Sequence, residues 1–138
     1  MKSIQFIQVF ILTLFLVFAA ACTPEQIMPK GKGTWSYTTT TKVVNSVTGT
    51  FNGTSSGDIT FNDDGSGATT PSGGSASTFT WAYNASDKKM TITDGSNVIV
   101  YDVLTSKSNS QTWKNEQTST VIGVTTTSTT DISLSRKK

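Results

Sequence analysis

The first candidates for chemistry are nucleophiles, and the chain contains a single cysteine, Cys22, and no histidine at all. A serine or cysteine nucleophile is usually activated by a neighbouring histidine, and zinc sites are usually built from histidine and cysteine. Cysteine–histidine pairs, serine–histidine–acid triads and ordinary zinc sites are therefore excluded. We expect a protein that is not an enzyme, with no catalytic residue, no bound metal and no cofactor.

Acidic side chains are the next candidates, because paired carboxylates can cleave glycosidic bonds and clustered oxygens can bind calcium. Asp63, Asp64 and Asp94 stand in Asp-Gly turn sequences, where an aspartate commonly caps the turn itself. The alternating ligands and closing glutamate of an EF-hand loop are missing. Asp102 differs because its neighbours are apolar, and two interpretations stay open: an outward-facing residue, or a polar group inside a ligand pocket.

Cys22 follows an apolar run, Val9 to Ala21, which only Thr13 interrupts, and Lys2 supplies a positive charge before it. The run is short for a membrane span, which needs about 20 apolar residues, and its length is typical of a signal peptide. A lone cysteine in an exported protein cannot form an internal disulfide. Cys22 is therefore either a free thiol or the site of a covalent modification.

The tetrapeptide Ala19-Ala20-Ala21-Cys22 resembles the lipobox of bacterial lipoproteins, in which leucine usually occupies the position of Ala19. The resemblance implies cleavage between Ala21 and Cys22 and diacylation of the Cys22 sulfur. Two or more acyl chains hold a protein stably on a bilayer. We therefore expect a signal peptide at residues 1–21, a tether at 22–32, and a lipid anchor in the cell envelope. The expected membrane is the outer membrane, on a side that the sequence leaves open.

The charge of the mature chain is close to balanced. Residues 1–21 contain one lysine and no acid, so ten basic and nine acidic residues remain after cleavage. This balance gives no electrostatic reason to expect a nucleic-acid partner. The remaining length suffices for one hydrophobic core and is too short for two. We expect a single monomeric domain over residues 33–138.

Within that domain, apolar and aromatic residues alternate with polar ones, which is typical of half-buried β-strands. The alternation begins at Trp35 and Tyr37 and ends at Ile132 and Leu134. Val98–Leu104 is apolar on both faces apart from Asp102, so we expect it to be the most buried strand. Asp-Gly turns and longer loops separate the strands. The pattern predicts an all-β fold, an antiparallel up-and-down meander of about eight strands that closes into a small barrel.

The order of the motifs resembles that of the small lipocalin-like lipoproteins common in Bacteroidetes, over nearly the whole mature chain. The resemblance is carried by "GTWSYTTTT", "ITFNDDGSGATT", "FTWAYNASDKKMTITDG", "NVIVYDVLTSKSNSQTW" and "TTDISLSRK". It implies a calycin-type barrel. Gly33-Thr34-Trp35 matches the lipocalin G-x-W motif, which implies that Trp35 plugs the closed end and that Arg136 packs across its ring. The T-D-Y tripeptide of lipocalins is absent.

The remaining aromatic side chains are the candidates for binding. A barrel of about eight strands either fills with its own side chains or holds one small ligand, so two functions stay open. The first is a lipoprotein that binds a small apolar or amphiphilic ligand; the second is a structural or interaction module with a filled core. For the first function, the predicted ligand-binding residues are Phe61, Phe79, Trp81, Tyr101 and Trp113.

Overall fold

The computed structural model describes residues 23–29 and 33–138. The predicted signal peptide, the predicted cleavage between Ala21 and Cys22, and the predicted acylation of Cys22 lie outside the described residues. Among the helices of the described chain, none is long and apolar enough to cross a membrane.

Eight antiparallel strands form one closed barrel in which each strand pairs with its neighbours in sequence and the last strand pairs with the first. The predicted all-β meander is therefore confirmed. One helix, α1 (Pro24–Ile27), precedes the barrel. The strands are β1 (Thr34–Asn45), β2 (Gly49–Phe61), β3 (Ser66–Pro71), β4 (Ser77–Asn84), β5 (Lys89–Asp94), β6 (Asn97–Ser106), β7 (Ser110–Val121) and β8 (Val124–Arg136).

The two ends of the barrel differ. The closed end contains α1, the start of β1, and the turns after β2, β4 and β6. The open end contains the other four turns. Most of the fully buried side chains gather toward the closed end, where β1, β2 and β8 meet. The buried apolar core consists of Ile27, Met28, Trp35, Phe61, Phe79, Met90, Tyr101, Val103, Trp113 and Leu134.

The expectation that Val98–Leu104 is the most buried strand is wrong. Only Tyr101 and Val103 are buried, and they point inward with the period of two that every strand has. Val98, Val100 and Leu104 lie on the outer face and are exposed, because no second layer covers a single-walled barrel. Asp102 shares that outer face and forms an ion pair with Lys89, so it is not a pocket residue.

The barrel wall is higher on one side than on the other. The four adjacent strands β2, β1, β8 and β7 have 12 or 13 residues, whereas β3 to β6 have between 6 and 10. The pairing of β2 with β3 begins at Gly57, and β7 pairs with β6 only up to Lys114. The upper parts of the long strands therefore form a four-stranded extension, residues 43–56 and 117–130, which contains no charged residue.

The β7–β8 hairpin carries a strained residue at its tip. Ile122 and Gly123 form the two-residue turn between paired Val121 and Val124, and both have positive φ, 49° and 75°. That combination defines a type I′ turn, which favours asparagine or glycine. Ile122 is 98% exposed, so its side chain gains nothing from packing that offsets the steric cost.

Ile122→Asn is expected to stabilise the protein by about 1 kcal/mol, because a non-glycine residue in a sparsely populated φ/ψ region costs about 1–3 kcal/mol and asparagine tolerates the left-handed region. Urea denaturation would measure the change. Gly123→Ala is the control and is expected to destabilise the same turn. An unchanged or lower stability of the Ile122→Asn protein would contradict this account of the hairpin.

Candidate functional site

A cavity of about 250 Å³ lies inside the barrel above the packed core. Its base consists of the buried aromatic residues Phe79, Tyr101 and Trp113, and its rim includes the exposed residues Ser77 and Asp94. The cavity therefore runs from the core toward the open end. The lining residues are Tyr37, Thr39, Ser55, Ile59, Thr69, Ser77, Phe79, Ile92, Asp94, Ile99, Tyr101, Trp113 and Ile132.

Strand alternation explains why these residues share the cavity. Ile92 on β5 pairs with Ile99 on β6, and Trp113 on β7 pairs with Ile132 on β8. In an antiparallel pair, residues directly opposite each other point to the same face. Each inward pair therefore adds two side chains to one wall, and the wall is apolar at its base. The hydroxyl-bearing residues Thr39, Ser55, Thr69 and Ser77 form most of its upper part.

The structure brings three of the five predicted ligand-binding residues to the cavity: Phe79, Tyr101 and Trp113. Phe61 and Trp81 lie outside its lining, nearer the closed end. The Phe61 ring forms edge contacts with the rings of Phe79, Trp81 and Trp113, with centroids 5.6, 5.5 and 5.9 Å away. Trp81 Nε1 donates to the backbone oxygens of Asn62 and Ser66. Phe61 and Trp81 thus support the cavity base from below.

Several lining residues were not predicted from the sequence, above all the aliphatic residues Ile59, Ile92, Ile99 and Ile132. The sequence does contain a signal for them: Ile59 and Ile99 lie two residues from Phe61 and Tyr101, and Ile92 and Ile132 lie two residues from the apolar residues Met90 and Leu134. Aromatic side chains offer a larger contact surface, so the sequence favours them over these isoleucines as candidates for binding. The Asp-Gly sequence predicts that Asp94 lies in a turn. In the structure, Asp94 is the last residue of β5 and forms part of the cavity rim.

The Trp35 side chain occupies the closed end and is fully buried. Its Nε1 donates a 3.0 Å hydrogen bond to the Met28 backbone oxygen. The Arg136 guanidinium carbon lies 4.3 Å from the centroid of the Trp35 ring, a distance at which a cation is attracted to the ring face. Arg136 Nε also donates to the Ser108 backbone oxygen, and Nη2 donates to that of Ile27.

Gly33 is required where the chain enters β1. Its φ is +60°, and a Cβ at this position would lie 1.9 Å from the Phe61 backbone oxygen. Any side chain would therefore collide with β2 as well as strain the backbone. This close approach holds the start of β1 against the end of β2.

The described part of the predicted tether, residues 23–29, packs against the barrel. Pro24, Ile27 and Met28 are buried, the latter two within the core. Proline fits the first turn of a helix because its missing N–H is not needed there. The prediction of a tether rested on proline and glycine content. The signal that it overlooked is the apolar pair Ile27-Met28, which a solvated linker does not need.

The cavity lining is poor in charge. Among the described residues that form it, Asp94 is the single charged one. The ion pairs Lys89–Asp102, Lys114–Glu116 and Lys137–Asp58 all join partly exposed side chains. Burial raises the pKa of the Tyr101 hydroxyl above its ordinary value, so at neutral pH this hydroxyl is an uncharged hydrogen-bond donor. Groups of three or more potential metal ligands do not occur in the described residues.

Two buried polar atoms have no hydrogen-bond partner in the part of the chain that the structure describes: Trp113 Nε1 and Gln111 Oε1. Gln111 is otherwise satisfied, because its Nε2 donates to Ser106 Oγ and to the Lys107 backbone oxygen. Trp113 makes no hydrogen bond through its side chain. Since most buried polar groups in folded proteins are paired, the unpaired indole N–H of Trp113, which is itself shielded from solvent, is an unusual feature of the barrel interior.

The arrangement can hold a small apolar molecule against aromatic rings while hydroxyl groups contact its outer part. No family model, curated protein or solved structure matches this chain.

Trp35→Ala is expected to lower the free energy of unfolding by about 3–5 kcal/mol, because it leaves a large void in a packed region. Arg136→Ala is expected to lower it by about 0.5–2 kcal/mol through the lost ring contact. Lys137→Ala is the matched control, since its exposed ion pair with Asp58 contributes about 0–1 kcal/mol. Urea denaturation measures all three. Equal, small losses for Trp35→Ala and Lys137→Ala would contradict the assigned role of Trp35.

Proposed function

We propose that this protein is a lipid-anchored binding protein of the bacterial cell envelope whose barrel holds one small, mainly apolar molecule. The observation that carries the proposal is the cavity of about 250 Å³ above the core. Native interiors are packed so closely that voids larger than a water molecule are few. A space of this size with an aromatic base and a hydroxyl-bearing rim therefore favours a ligand.

The size of the cavity limits the ligand. An engineered apolar cavity of about 150 Å³ is enough to bind benzene, and typical ligand pockets have about 300–1,000 Å³. The cavity described above lies between these values at about 250 Å³. A molecule of one or two rings, or a short chain of similar volume, matches it. Long-chain lipids exceed this volume unless most of the chain lies outside the barrel.

The position of α1 bears on how a lipid anchor would orient the barrel. Thr23 lies at the closed end, in a surface recess with Tyr83 and Val103, and Cys22 directly precedes it in the sequence. With an acylated Cys22, the closed end would lie next to the bilayer. The cavity would then open away from the membrane, toward the aqueous phase from which a small ligand arrives.

A second candidate function is an interaction module, and exposed apolar side chains at the open end favour it. Val47, Phe51, Val121 and Ile122 are all highly exposed and belong to the two long hairpins β1–β2 and β7–β8. Exposed apolar clusters often mark protein interaction sites. This function does not require the cavity to be occupied, so ligand binding distinguishes the two candidates.

Cys22→Ser is expected to release the protein from the membrane fraction, because the serine hydroxyl does not accept the thioether-linked lipid. The measurement is the distribution of the protein between membrane and soluble fractions after a carbonate wash. Thr23→Ser, which keeps the cysteine, is the control and is expected to remain with the membrane. If the Cys22→Ser protein stays in the washed membranes, the proposed lipid anchor is wrong.

Binding can be tested on residues 23–138, which contain the pairing strands of the barrel and its described core. The uncharged fluorophore N-phenyl-1-naphthylamine is expected to bind with increased fluorescence. Thr69→Trp, which fills the cavity, is expected to weaken that binding at least tenfold. Thr70→Trp is the matched control, because Thr70 lies on the outer face of the same strand and its replacement leaves the cavity open. Absence of binding, or equal binding by both variants, would overturn the ligand-binding proposal.

A further inference from the structure

We propose that the cavity prefers a small amphiphilic amine, whose apolar part packs on the aromatic base and whose ammonium group pairs with the Asp94 carboxylate at the rim. This inference rests on the proposed ligand-binding function and specifies the chemical class of the ligand. Two features carry it: an accessible carboxylate without a partner, and a lining whose other polar groups suit an ammonium.

Asp94 belongs to the inner face of the barrel wall. Residues two apart on a strand share one face, and Met90, Ile92 and Asp94 follow one another at that spacing along β5. Met90 is part of the buried core, and Ile92 lines the cavity. Asp94 is the last of the three; it also lines the cavity, and it is exposed. A molecule that enters from the open end therefore meets this side chain.

The Asp94 carboxylate is free to bind a cation. Lysine side chains already pair with Asp58, Asp102 and Glu116 on the outer surface. The Asp94 side chain forms no ion pair or hydrogen bond with the other described residues. The described lining also contains no lysine or arginine. A ligand ammonium therefore gains a counter-ion at the rim, whereas a ligand carboxylate would face a like charge there.

The hydroxyl groups of the upper lining suit the same ligand group. An ammonium has three N–H donors and no acceptor, and a hydroxyl oxygen accepts hydrogen bonds. Thr39, Ser55, Thr69 and Ser77 supply such oxygens in the upper part of the cavity, and Ser77 is exposed at the rim as Asp94 is. The upper lining thus offers one negative charge and several acceptor oxygens.

The position of the charge favours an amphiphile over a wholly polar cation. Phe79, Tyr101 and Trp113 form a buried base, whereas Asp94 and Ser77 are exposed. An ammonium at the base would lose its hydration without gaining a counter-ion. At the rim it keeps part of its water and lies near the carboxylate. The ligand therefore lies with its apolar part inward and its ammonium outward.

Three probes that share a naphthalene ring separate these features: 2-(2-naphthyl)ethylamine, a cation at neutral pH; 2-(2-naphthyl)ethanol, its neutral analogue; and 2-naphthylacetate, its anionic analogue. Each is measured by displacement of N-phenyl-1-naphthylamine from residues 23–138. Because the amine is also better hydrated than the alcohol, the quantity compared between variants is the affinity ratio of the amine to the alcohol. That ratio is expected to be about threefold to fivefold higher in the unmodified protein than in Asp94→Asn, as a partly exposed ion pair allows.

Asp63→Asn is the matched control, because it removes the same charge from the turn after β2 at the closed end. It is expected to leave the ratio unchanged. Asparagine suits turns as aspartate does, so both variants are expected to fold and to bind the neutral fluorophore. Asp94→Lys reverses the charge at the rim and is expected to strengthen binding of 2-naphthylacetate.

Salt provides a measurement that a merely structural role of Asp94 would not affect. Salt screens charges that are exposed to solvent. Raising the salt concentration to about 0.5 M is therefore expected to lower the ratio of the unmodified protein toward that of Asp94→Asn. The ratio of Asp94→Asn itself is expected to change little.

The inference is overturned if the fluorophore and the alcohol bind but the ratio is the same in Asp94→Asn as in the unmodified protein. It is also overturned if 2-naphthylacetate binds the unmodified protein as tightly as the amine does. Failure of the fluorophore itself to bind is a different result, because it overturns the ligand-binding proposal as a whole.

Discussion

At the closed end of the barrel, the Trp35 indole is held by two other parts of the chain, the segment after α1 and the end of β8. Its N–H donates to the Met28 backbone oxygen after α1, and the Arg136 guanidinium from the end of β8 lies over its ring. Arg136 in turn binds the backbone of Ile27 and of Ser108 in the β6–β7 turn. One aromatic ring and one cation thereby join the first strand, the last strand and the N-terminal segment, and they seal the end of the barrel against water.

With that end sealed, the packed core and the cavity divide the interior between them. The Phe61 ring makes edge contacts with the rings of Phe79, Trp81 and Trp113, so this aromatic cluster forms a floor across the barrel. Above the floor, the inward side chains shorten to isoleucine, threonine and serine. Smaller side chains on an eight-stranded wall leave the axis unfilled. The cavity is thus a consequence of the change in side-chain size along each strand.

The charges follow the same division between the inside and the outside of the wall. Lysine, aspartate and glutamate side chains pair on the outer surface, where both members of each pair retain water contacts and the pairs contribute little to stability. The lining keeps one carboxylate, Asp94, at the rim. Exposed valine and leucine residues on the outer face of β6 show that the wall has no covering layer there. The outer face of β6 is therefore apolar although it is exposed to solvent.

The strands and their order follow from local sequence, because alternation with a period of two is a property that each segment carries alone. Trp35, Tyr37 and Leu134 share the inward face as their parity predicts, and Asp-Gly turns separate β2 from β3 and β5 from β6. Parity also decides which side chains face inward. It does not decide how deep they lie, and Phe61 and Trp81 accordingly support the cavity base while Phe79, Tyr101 and Trp113 line the cavity.

Which apolar faces are covered depends instead on the packing of the whole barrel. Val98, Val100 and Leu104 are as apolar as core residues, yet they are exposed because a barrel has one buried face. Ile27 and Met28 belong to a segment with linker composition, yet they are buried because Trp35 offers its indole N–H to the backbone beside them. The indole N–H of Trp113 is likewise unpaired because the fold places no acceptor from the described residues beside it. Burial is a property of the neighbours that the fold brings together, and a local pattern does not contain them.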